Sequence, residues 1–316
     1  MNQKNYSRTV GVFGGSGFVG EAIIQRLLKS NYKIKVATRS PYLSQNLKVY
    51  GDIGQIELCK VDIKSPQSIS GFLKNCDVCI NLVGILYEKR SQTFKELHVN
   101  FPKQLAAIFS KISSSGTLIH FSALGVKQNS ESQYIESKYQ GEQEVKKAFP
   151  NSVIIKPSIV IGAKDKFFNM FAQLVNVLPV IPLVGAQTKF QPVCVTDVAE
   201  AVSNIIQKNI SKETFELAGT KIFTFKELIE LLLKEVRKKR LIISVPFSLG
   251  KIQAFFLQLM PKPLLTLDQV KILEGGDNVL SGENQTFKDL DIVPQSIESV
   301  IPSYLKIYRP KGQFSE

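Results

Sequence analysis

Apolar runs alternate with amphipathic stretches along the first half of the chain, from residue 8 to about residue 160. Short runs rich in β-branched residues predict strands, and apolar residues spaced three and four apart predict helices between them. The predicted strands are 9–13, 33–38, 56–60, 77–83, 117–121 and 153–160, and the predicted helices are 18–30, 66–74, 91–112 and 136–148. This alternation is typical of successive βαβ units, so the pattern predicts a doubly wound parallel sheet with helices on both faces.

The alternation weakens after residue 160. Helices are predicted at 165–178, 197–208, 225–239 and 248–260, with short strands at 214–218 and 241–245. We therefore predict an α/β protein with two parts. A sheet domain covers residues 1–160, and a smaller C-terminal α+β lobe over residues 161–316 serves a substrate or a partner and is interleaved with the first domain near 190–220.

Three glycines stand between the first strand and the first helix. Gly14, Gly17 and Gly20 follow the spacing G-x-x-G-x-x-G. Glycines here allow a tight turn that brings backbone amides to a diphosphate, whose charge the helix N-terminus favours, and the last one lets helix and strand pack closely. The first domain is therefore predicted to be a Rossmann-type NAD(P)-binding domain. The residues expected to hold the diphosphate are Gly14, Gly15, Ser16, Gly17, Phe18 and Val19.

The ends of the second and third strands report on the nucleotide. Arg39 stands where an acidic residue would bond the ribose 2′-hydroxyl of NAD. Arginine can instead pair with a 2′-phosphate, so NADP(H) is favoured over NAD(H). Asp62 and Ile63 follow the third strand, where such folds contact the adenine edge, although an ordinary loop aspartate or a helix-capping one is an equal alternative for Asp62.

Later strand ends supply the nicotinamide side. Leu82, Val83 and Gly84 follow the fourth strand, at the crevice where doubly wound sheets bind ligands, and Gly84 would let the backbone pass close to the ribose. Pro157 and Ser158 end the sixth strand and are expected to fix the ring face, although a proline there is equally a strand terminator.

Tyr134 and Lys138 lie four residues apart on one predicted helix and therefore share a face. An ammonium near the phenol would depress its pKa and let it act as a general acid or base at neutral pH. We expect the side-chain amide of Asn100 to bridge backbone groups near this pair. His98 is predicted to be a packing or surface residue, because no metal-ligand partner lies at a useful spacing.

These motifs together resemble the extended short-chain dehydrogenase/reductase superfamily, over roughly residues 8–220. A narrower likeness, to the NADPH-binding accessory subunit family of respiratory complex I (NADH:ubiquinone oxidoreductase) and its bacterial relatives, extends over nearly the whole chain. The segments that carry it are 134–145, 148–150, 155–158, 190–199 and 263–271.

The resemblance implies tight NADPH binding and a role in assembly or stability near the membrane arm, with no established turnover. Some bacterial and fungal relatives are linked instead to quinone biosynthesis. The resemblance also places Ser122 at the start of the serine run that carries the catalytic hydroxyl in active members, so that Ser122 lines the nicotinamide pocket. Ala123 and Leu124 follow where a substrate-binding hydroxyl is expected, which implies weakened catalysis.

The chain is basic, with 40 Lys and Arg against 27 Asp and Glu and a net charge of +13. Nucleic acid, an anionic membrane, an acidic protein surface or a biased composition would each produce this excess. No interleaving of aromatic and basic residues is visible, so nucleic acid is not predicted. A basic run at 234–240 precedes an apolar segment with helical period at 245–260. That segment is either a helix buried in the C-terminal lobe or one that meets an anionic membrane or a membrane complex.

Four cysteines and two histidines predict no metal site. Cys76 and Cys79 have the spacing of a redox pair but lie in a strand-like run, so we predict buried thiols in a reducing compartment. No run reaches the roughly 20 apolar residues of a membrane-spanning helix. The first strand starts near residue 9, so we expect no presequence. We expect a location in the bacterial cytoplasm, peripheral at the inner membrane, or on the matrix side of a mitochondrion.

Three classes of function stay open. The first is a barely catalytic NADP(H)-binding subunit that docks on respiratory complex I. The second is an active NADP-dependent reductase or epimerase that uses Tyr134 and Lys138, on a quinone precursor or an isoprenoid. The third is a redox-sensing or chaperone-like binding module with exchangeable cofactor.

Overall fold

Parallel strands flanked by helices make up most of the protein, and the computed structural model describes residues 6–261 and 263–310. The strands are β1 (Thr9–Phe13), β2 (Lys33–Thr38), β3 (Ile56–Lys60), β4 (Val78–Asn81), β5 (Thr117–Phe121), β6 (Val153–Pro157), β7 (Val160–Ile161), β8 (Val180–Val184), β9 (Lys189–Phe190), β10 (Val193–Cys194), β11 (Thr214–Leu217), β12 (Phe223–Thr224) and β13 (Leu241–Val245). The helices are α1 (Phe18–Leu28), α2 (Pro66–Leu73), α3 (Phe101–Ile112), α4 (Gln133–Ala148), α5 (Phe167–Val177), α6 (Val195–Gln207), α7 (Phe225–Glu235), α8 (Phe247–Leu257), α9 (Leu267–Glu274) and α10 (Ile297–Leu305). A π-helical turn, Lys95–Asn100, leads directly into α3.

The central sheet has seven strands in the order β3-β2-β1-β4-β5-β6-β11, and every neighbouring pair in it is parallel. The winding reverses between β1 and β4, which leaves a crevice at the carboxyl ends of these two strands. The predicted doubly wound, Rossmann-type sheet is therefore confirmed.

Helices cover both faces of this sheet. On one face lie α1 and α6, whose side chains Ile23, Leu27, Val198 and Ile205 belong to one fully buried cluster. On the other face lie α2, α3 and α4, which bury a second cluster. Both α6 and β11 come from the second half of the chain. The central sheet is thus completed by residues that come after the intervening segment with α5 and β8.

The rest of the second half forms the smaller α+β lobe. Its core lies between α5, α7 and α10, and β8 pairs with β13 in parallel. Helices α9 and α10 were missed by the sequence analysis: α9 has only eight residues, and α10 contains Pro302. Within residues 6–261 and 263–310, no helix is both long and apolar enough to cross a membrane.

Candidate functional site

The glycine turn follows β1 at the crevice. Gly14 has φ +79°, a left-handed conformation that favours glycine. A β-carbon placed on Gly20 would lie 2.5 Å from the carbonyl oxygen of Gly14 and 2.7 Å from the Cα of Gly15. No side chain fits at position 20, so the glycine there lets α1 approach the turn closely.

The N-terminus of α1 is open to a ligand. Its capping residue Gly17 has no side chain that could bond the first amides. Ser16 and Gly17 are exposed, while Phe18 and Val19 are half-buried. The first amides of a helix lack intrahelical partners and carry partial positive charge. The turn therefore fits the diphosphate of a dinucleotide, as its spacing predicts.

The ends of β2 and β3 lie side by side, since Thr38 pairs with Lys60. Arg39 follows β2 and is exposed, and within the described part of the chain no side chain or carbonyl bonds its guanidinium. Asp62 follows β3, also exposed, and its Oδ1 accepts from the Lys64 amide at 3.0 Å. Ile63 beside it is half-buried. Asp62 thus makes a contact within its own loop through Oδ1, as an ordinary loop aspartate would. Its other carboxylate oxygen takes no part in this bond.

The loop after β4 brings the crevice to α4. The amide of Leu82 donates to the Phe13 carbonyl at 2.9 Å, which ties this loop to β1, and Val83 next to it is half-buried. A β-carbon on Gly84 would lie 3.2 Å from Lys138 Nζ. Gly84 therefore leaves room for the Lys138 ammonium, and the two predicted site segments do meet.

Tyr134 and Lys138 are both carried by α4. Lys138 is 6% exposed, and its Nζ donates to the Phe121 carbonyl at 3.1 Å. Burial lowers the pKa of Lys138 to about 8, with the charge of Glu142 acting in the opposite direction. Burial, together with the negative charge of Asp268, raises the pKa of Tyr134 to about 12. The pKa of the phenol therefore lies above its ordinary value and not below it as expected, because burial and the Asp268 charge both disfavour the phenolate.

Ser122 follows β5 and is buried, but its hydroxyl is engaged. It donates to Glu142 Oε1 on α4, and Glu142 Oε2 pairs with Lys156 Nζ at 3.0 Å. Glu142 is 2% exposed. The hydroxyl that the family likeness assigns to the nicotinamide pocket thus belongs to a buried ionic network between β5, β6 and α4.

His98, and not Asn100, is the residue of this segment that lies buried beside α4. Asn100 is exposed, and its amide donates to Glu96 at 3.0 Å, so the predicted bridge to backbone groups near Tyr134 is wrong. His98 is 1% exposed, and its Nε2 accepts from the Ile85 amide at 3.1 Å. The π-helical turn shifts which residues of this segment face inward, and single-sequence periodicity gives no signal for such a turn.

The same histidine orients the start of α4. Because Nε2 accepts, Nδ1 carries the proton and donates to Ser137 Oγ at 2.9 Å, and Ser137 donates to the Tyr134 carbonyl at 2.9 Å. Burial, and the charge of Lys138 after it, lower the pKa of His98 to about 2. His98 is therefore a neutral packing and positioning residue, in agreement with the prediction that it packs.

Pro157 and Ser158 lie where β6 ends. The Pro157 carbonyl accepts from the Leu124 amide at 2.9 Å. The Ser158 hydroxyl donates to Asn278 Oδ1 at 2.6 Å, and Asn278 Nδ2 donates to the Leu124 carbonyl at 2.9 Å. Asn278 was not predicted from the sequence. It fastens the C-terminal lobe to the strand ends beside the expected nicotinamide site.

A second tie from the C-terminal lobe reaches α4. Asp268, in the first turn of α9, accepts from the amides of Gln133 at 2.7 Å and Tyr134 at 3.1 Å, and from Ser132 Oγ at 2.9 Å. A carboxylate at a helix N-terminus satisfies free amides and interacts favourably with the positive end of the helix dipole. The helix that carries the tyrosine and lysine is thus capped from the other lobe.

Cys76 and Cys79 are buried free thiols, as predicted. Cys76, Cys79 and Cys194 are buried and Cys59 is half-buried. Burial raises the pKa of Cys76 to about 11. A thiol with such a pKa is mostly protonated at neutral pH and is a weak nucleophile.

Taken together, the glycine turn, the open helix N-terminus and the strand ends form a dinucleotide-binding crevice of the extended short-chain dehydrogenase type. The chain belongs to the NAD dependent epimerase/dehydratase family, which it matches over residues 10–218. It is also similar, over nearly its whole length, to subunits of respiratory complex I. The predicted resemblance to both groups is therefore confirmed.

Two of these relatives are mitochondrial. The NADH-ubiquinone oxidoreductase 40 kDa subunit of Neurospora crassa is 31% identical over 308 residues, which cover 97% of this chain and 81% of the relative. The NADH dehydrogenase [ubiquinone] 1 alpha subcomplex subunit 9 of Arabidopsis thaliana is 32% identical over 314 residues, 95% of this chain and 78% of the relative.

Solved structures support the fold. The dTDP-glucose 4,6-dehydratase DesIV of Streptomyces venezuelae, with NAD and TYD bound, superposes with a TM-score of 0.71 at 16% identity, covering 95% of this chain and 96% of that one. At this identity the likeness concerns the fold alone.

Proposed function

We propose that this protein is an NADP(H)-binding accessory subunit that docks on respiratory complex I and retains its dinucleotide with little turnover. The observation that carries the docking part is the similarity to two complex I subunits across 97% and 95% of this chain. Their mitochondrial names support a location at the membrane that holds complex I, on its matrix side or, in a bacterium, its cytoplasmic side.

The preference for NADP(H) rests on Arg39. Its exposed guanidinium follows β2, the strand next to the glycine turn, and no group of the described residues bonds it. A 2′-phosphate would supply the missing partner through charge-assisted hydrogen bonds. Gly14 to Val19 would hold the diphosphate, and Asp62 and Ile63 would lie at the adenine.

Slow turnover is supported at the nicotinamide end. Gly84, Tyr134, Lys138, Pro157 and Ser158 would surround the ring, and a bound dinucleotide supplies a hydride donor or acceptor there. The phenol has a pKa raised to about 12, and the ammonium donates to a carbonyl. Proton transfer at neutral pH is inefficient for an acid whose pKa lies so far above the working pH.

A pair of variants tests the cofactor. Arg39→Ala is expected to weaken NADPH binding by about tenfold to a hundredfold, the size of a lost hydrogen bond to a charged group, and to leave NADH binding unchanged. Lys111→Ala, which removes an exposed cation on α3, is the matched control and should change neither affinity. Titration of each protein with NADPH or NADH, followed by the fluorescence of the nucleotide, measures both affinities. An equal loss of affinity for NADH and NADPH in Arg39→Ala would contradict the preference.

Native pull-down from solubilised membranes tests the docking, with the retained nucleotide identified by mass. Complex I subunits and NADPH recovered with the full-length protein are the expected result. A free protein that oxidises NADPH with a small substrate would contradict the accessory role.

The second candidate is an active NADP-dependent reductase or epimerase. The approach of Gly84 to Lys138, which lies one helical turn after Tyr134 on α4, favours it. In that case Tyr134→Phe should abolish turnover of a quinone precursor and leave NADPH affinity intact. Wild-type protein without turnover on such substrates would remove this candidate.

A further inference from the structure

Helix α8 carries four large apolar side chains outward. Ile252, Phe255 and Phe256 are 59%, 52% and 65% exposed, and Leu249, one turn before Ile252, is 57% exposed. Residues 249, 252 and 256 follow helical spacing, so they form one stripe. A contiguous apolar stripe on a protein surface marks an interaction site. Leu249, Ile252, Phe255 and Phe256 are called the α8 face below.

The side of α8 that meets the protein is made of its smallest residues. Gly250 and Ala254 are buried, and a β-carbon on Gly250 would lie 2.6 Å from Val184 Cγ1. The backbone of α8 therefore sits so close to β8 that no larger side chain fits between them. Because α8 admits only small residues at positions 250 and 254, the helix cannot rotate to bury Phe256, and the outward position of the α8 face is fixed by packing.

The sequence around α8 is basic, although Lys251 on α8 itself pairs with Glu274 of α9 at 2.7 Å. Between Val236 and Leu267 stand six basic residues and no acidic one: Arg237, Lys238, Lys239, Arg240, Lys251 and Lys262. Within this stretch Lys239 is exposed. A basic segment next to exposed aromatic and aliphatic side chains matches the composition of helices that lie in the interface of anionic bilayers.

We propose that the α8 face inserts into the surface of an anionic lipid bilayer, with the basic residues of 237–240 on the lipid phosphates. This inference deepens the proposed function, since it names what the C-terminal lobe meets at the membrane that holds complex I. A second copy of this chain fits less well, because a twofold contact through α8 would bring two copies of the basic segment 237–240 towards each other. Apolar side chains enter the acyl boundary and cations stay at the headgroups.

The test uses purified full-length protein and vesicles of phosphatidylcholine alone or mixed with phosphatidylglycerol. Wild-type protein is expected to sediment with the mixed vesicles, far less with the neutral ones, and less at high salt, since screening weakens the lipid attraction. Ile252→Ser combined with Phe256→Ser should lower the partition coefficient by about tenfold or more, because two buried apolar side chains are lost.

Ile53→Ser is the matched control, since this residue is fully exposed and lies in the loop before β3. It should bind vesicles like the wild type, and both variants should keep the wild-type Tm because the replaced side chains face solvent. Equal vesicle binding by the wild type and the α8 variant overturns the proposal, as does equal binding to neutral and anionic vesicles.

A protein partner gives a different result. The α8 variant would then lose complex I in the pull-down, while the wild type would fail to sediment with lipid, which also overturns the proposal. The vesicle assay contains no complex I, so a failure of the docking proposed above leaves its outcome unaffected, and the two proposals fail separately.

Discussion

One glycine in α4 sets how closely this helix approaches the preceding segment. A β-carbon on Gly141 would lie 1.9 Å from the carbonyl oxygen of His98. Gly141→Ala is therefore expected to lower the free energy of unfolding by about 1–3 kcal/mol, the usual cost of overpacking. Urea denaturation measures this change.

Gly71→Ala is the control for that variant. Gly71 lies inside α2 with nothing within 4 Å of a β-carbon, so alanine should stabilise the protein by about 0.5–1 kcal/mol. If Gly141→Ala and Gly71→Ala destabilised the protein equally, the cause would be the change of residue within a helix. It would not be the close contact of Gly141 with His98.

The two histidines are expected to control stability in mild acid. Burial lowers the pKa of His98 to about 2 and that of His120 to about 3, against 6.5 for the unfolded groups, and the sequence has no third histidine. Below pH 6.5 the unfolded chain binds protons that the folded chain does not, so stability falls as the pH drops. The slope approaches about 2.7 kcal/mol per pH unit when both contribute.

Urea denaturation between pH 7.5 and 5 measures this slope. His98→Gln keeps an acceptor and a donor but does not titrate in this range, so it should reduce the slope by about half. A stability that is flat from pH 7 to pH 5 would contradict the assignment of both rings as neutral.

At this scale the sequence predicted residue types better than their contacts. The spacing of Tyr134 and Lys138 was enough to predict that one helix carries both. The hydrogen bond of Ser122 to Glu142 depends on a side chain 20 positions away. The exchange of roles between Asn100 and His98 depends on a π-helical turn. Neither long-range contacts nor this turn leaves a periodic trace in the chain.

At the scale of elements, the strand and helix pattern of the first half was predictable because each βαβ unit repeats one hydrophobic rhythm. The elements missed were short or irregular. Helix α10 contains Pro302, which argues against a helix when sequence is considered alone. Helix α9 is stabilised by a capping box, Thr266 with Gln269, and by its contact with α4, not by a long apolar stripe.

The contact between α9 and α4 gives a prediction about helix capping. Asp268→Ala removes the acceptor of two amides and one hydroxyl, so we expect a loss of about 0.5–2 kcal/mol in the free energy of unfolding. Asp268→Asn retains one acceptor and should lose less. Thermal unfolding of the two variants checks the order.

Glu131→Ala tests whether a negative charge near the start of α4 is enough to explain the stability loss expected for Asp268→Ala. Its side chain is exposed just before the helix, and we expect no more than a few tenths of a kcal/mol. If this variant matched Asp268→Ala, the direct bonds of Asp268 to the amides would not be the cause.

At the scale of the whole molecule, the two halves are joined within one sheet. β11 pairs with β6, and α6 covers the same sheet face as α1. A chain ended after residue 160 would lack both, and would expose Ile23 and Leu27, which are fully buried in the complete protein. We expect this fragment to bind a hydrophobic dye and to unfold without a cooperative transition.

Circular dichroism against temperature and dye fluorescence compare this fragment with the complete chain. A sharp transition in the fragment would mean that the first domain folds without α6 and β11. The sequence indicated interleaving near 190–220, but which strand joins which edge depends on pairing between distant residues, which a single sequence does not encode locally.

The place of α6 and β11 in the chain also bears on synthesis. Residues 195–217, which supply α6 and β11, are made long after α1, so the apolar side of α1 stays exposed while the intervening lobe is being translated. Exposed apolar surface of this kind is what holding chaperones recognise and what leads nascent chains to aggregate. Maturation of the nucleotide crevice is therefore a late event, and slow translation across residues 161–217 would lengthen the interval in which the newborn chain needs protection.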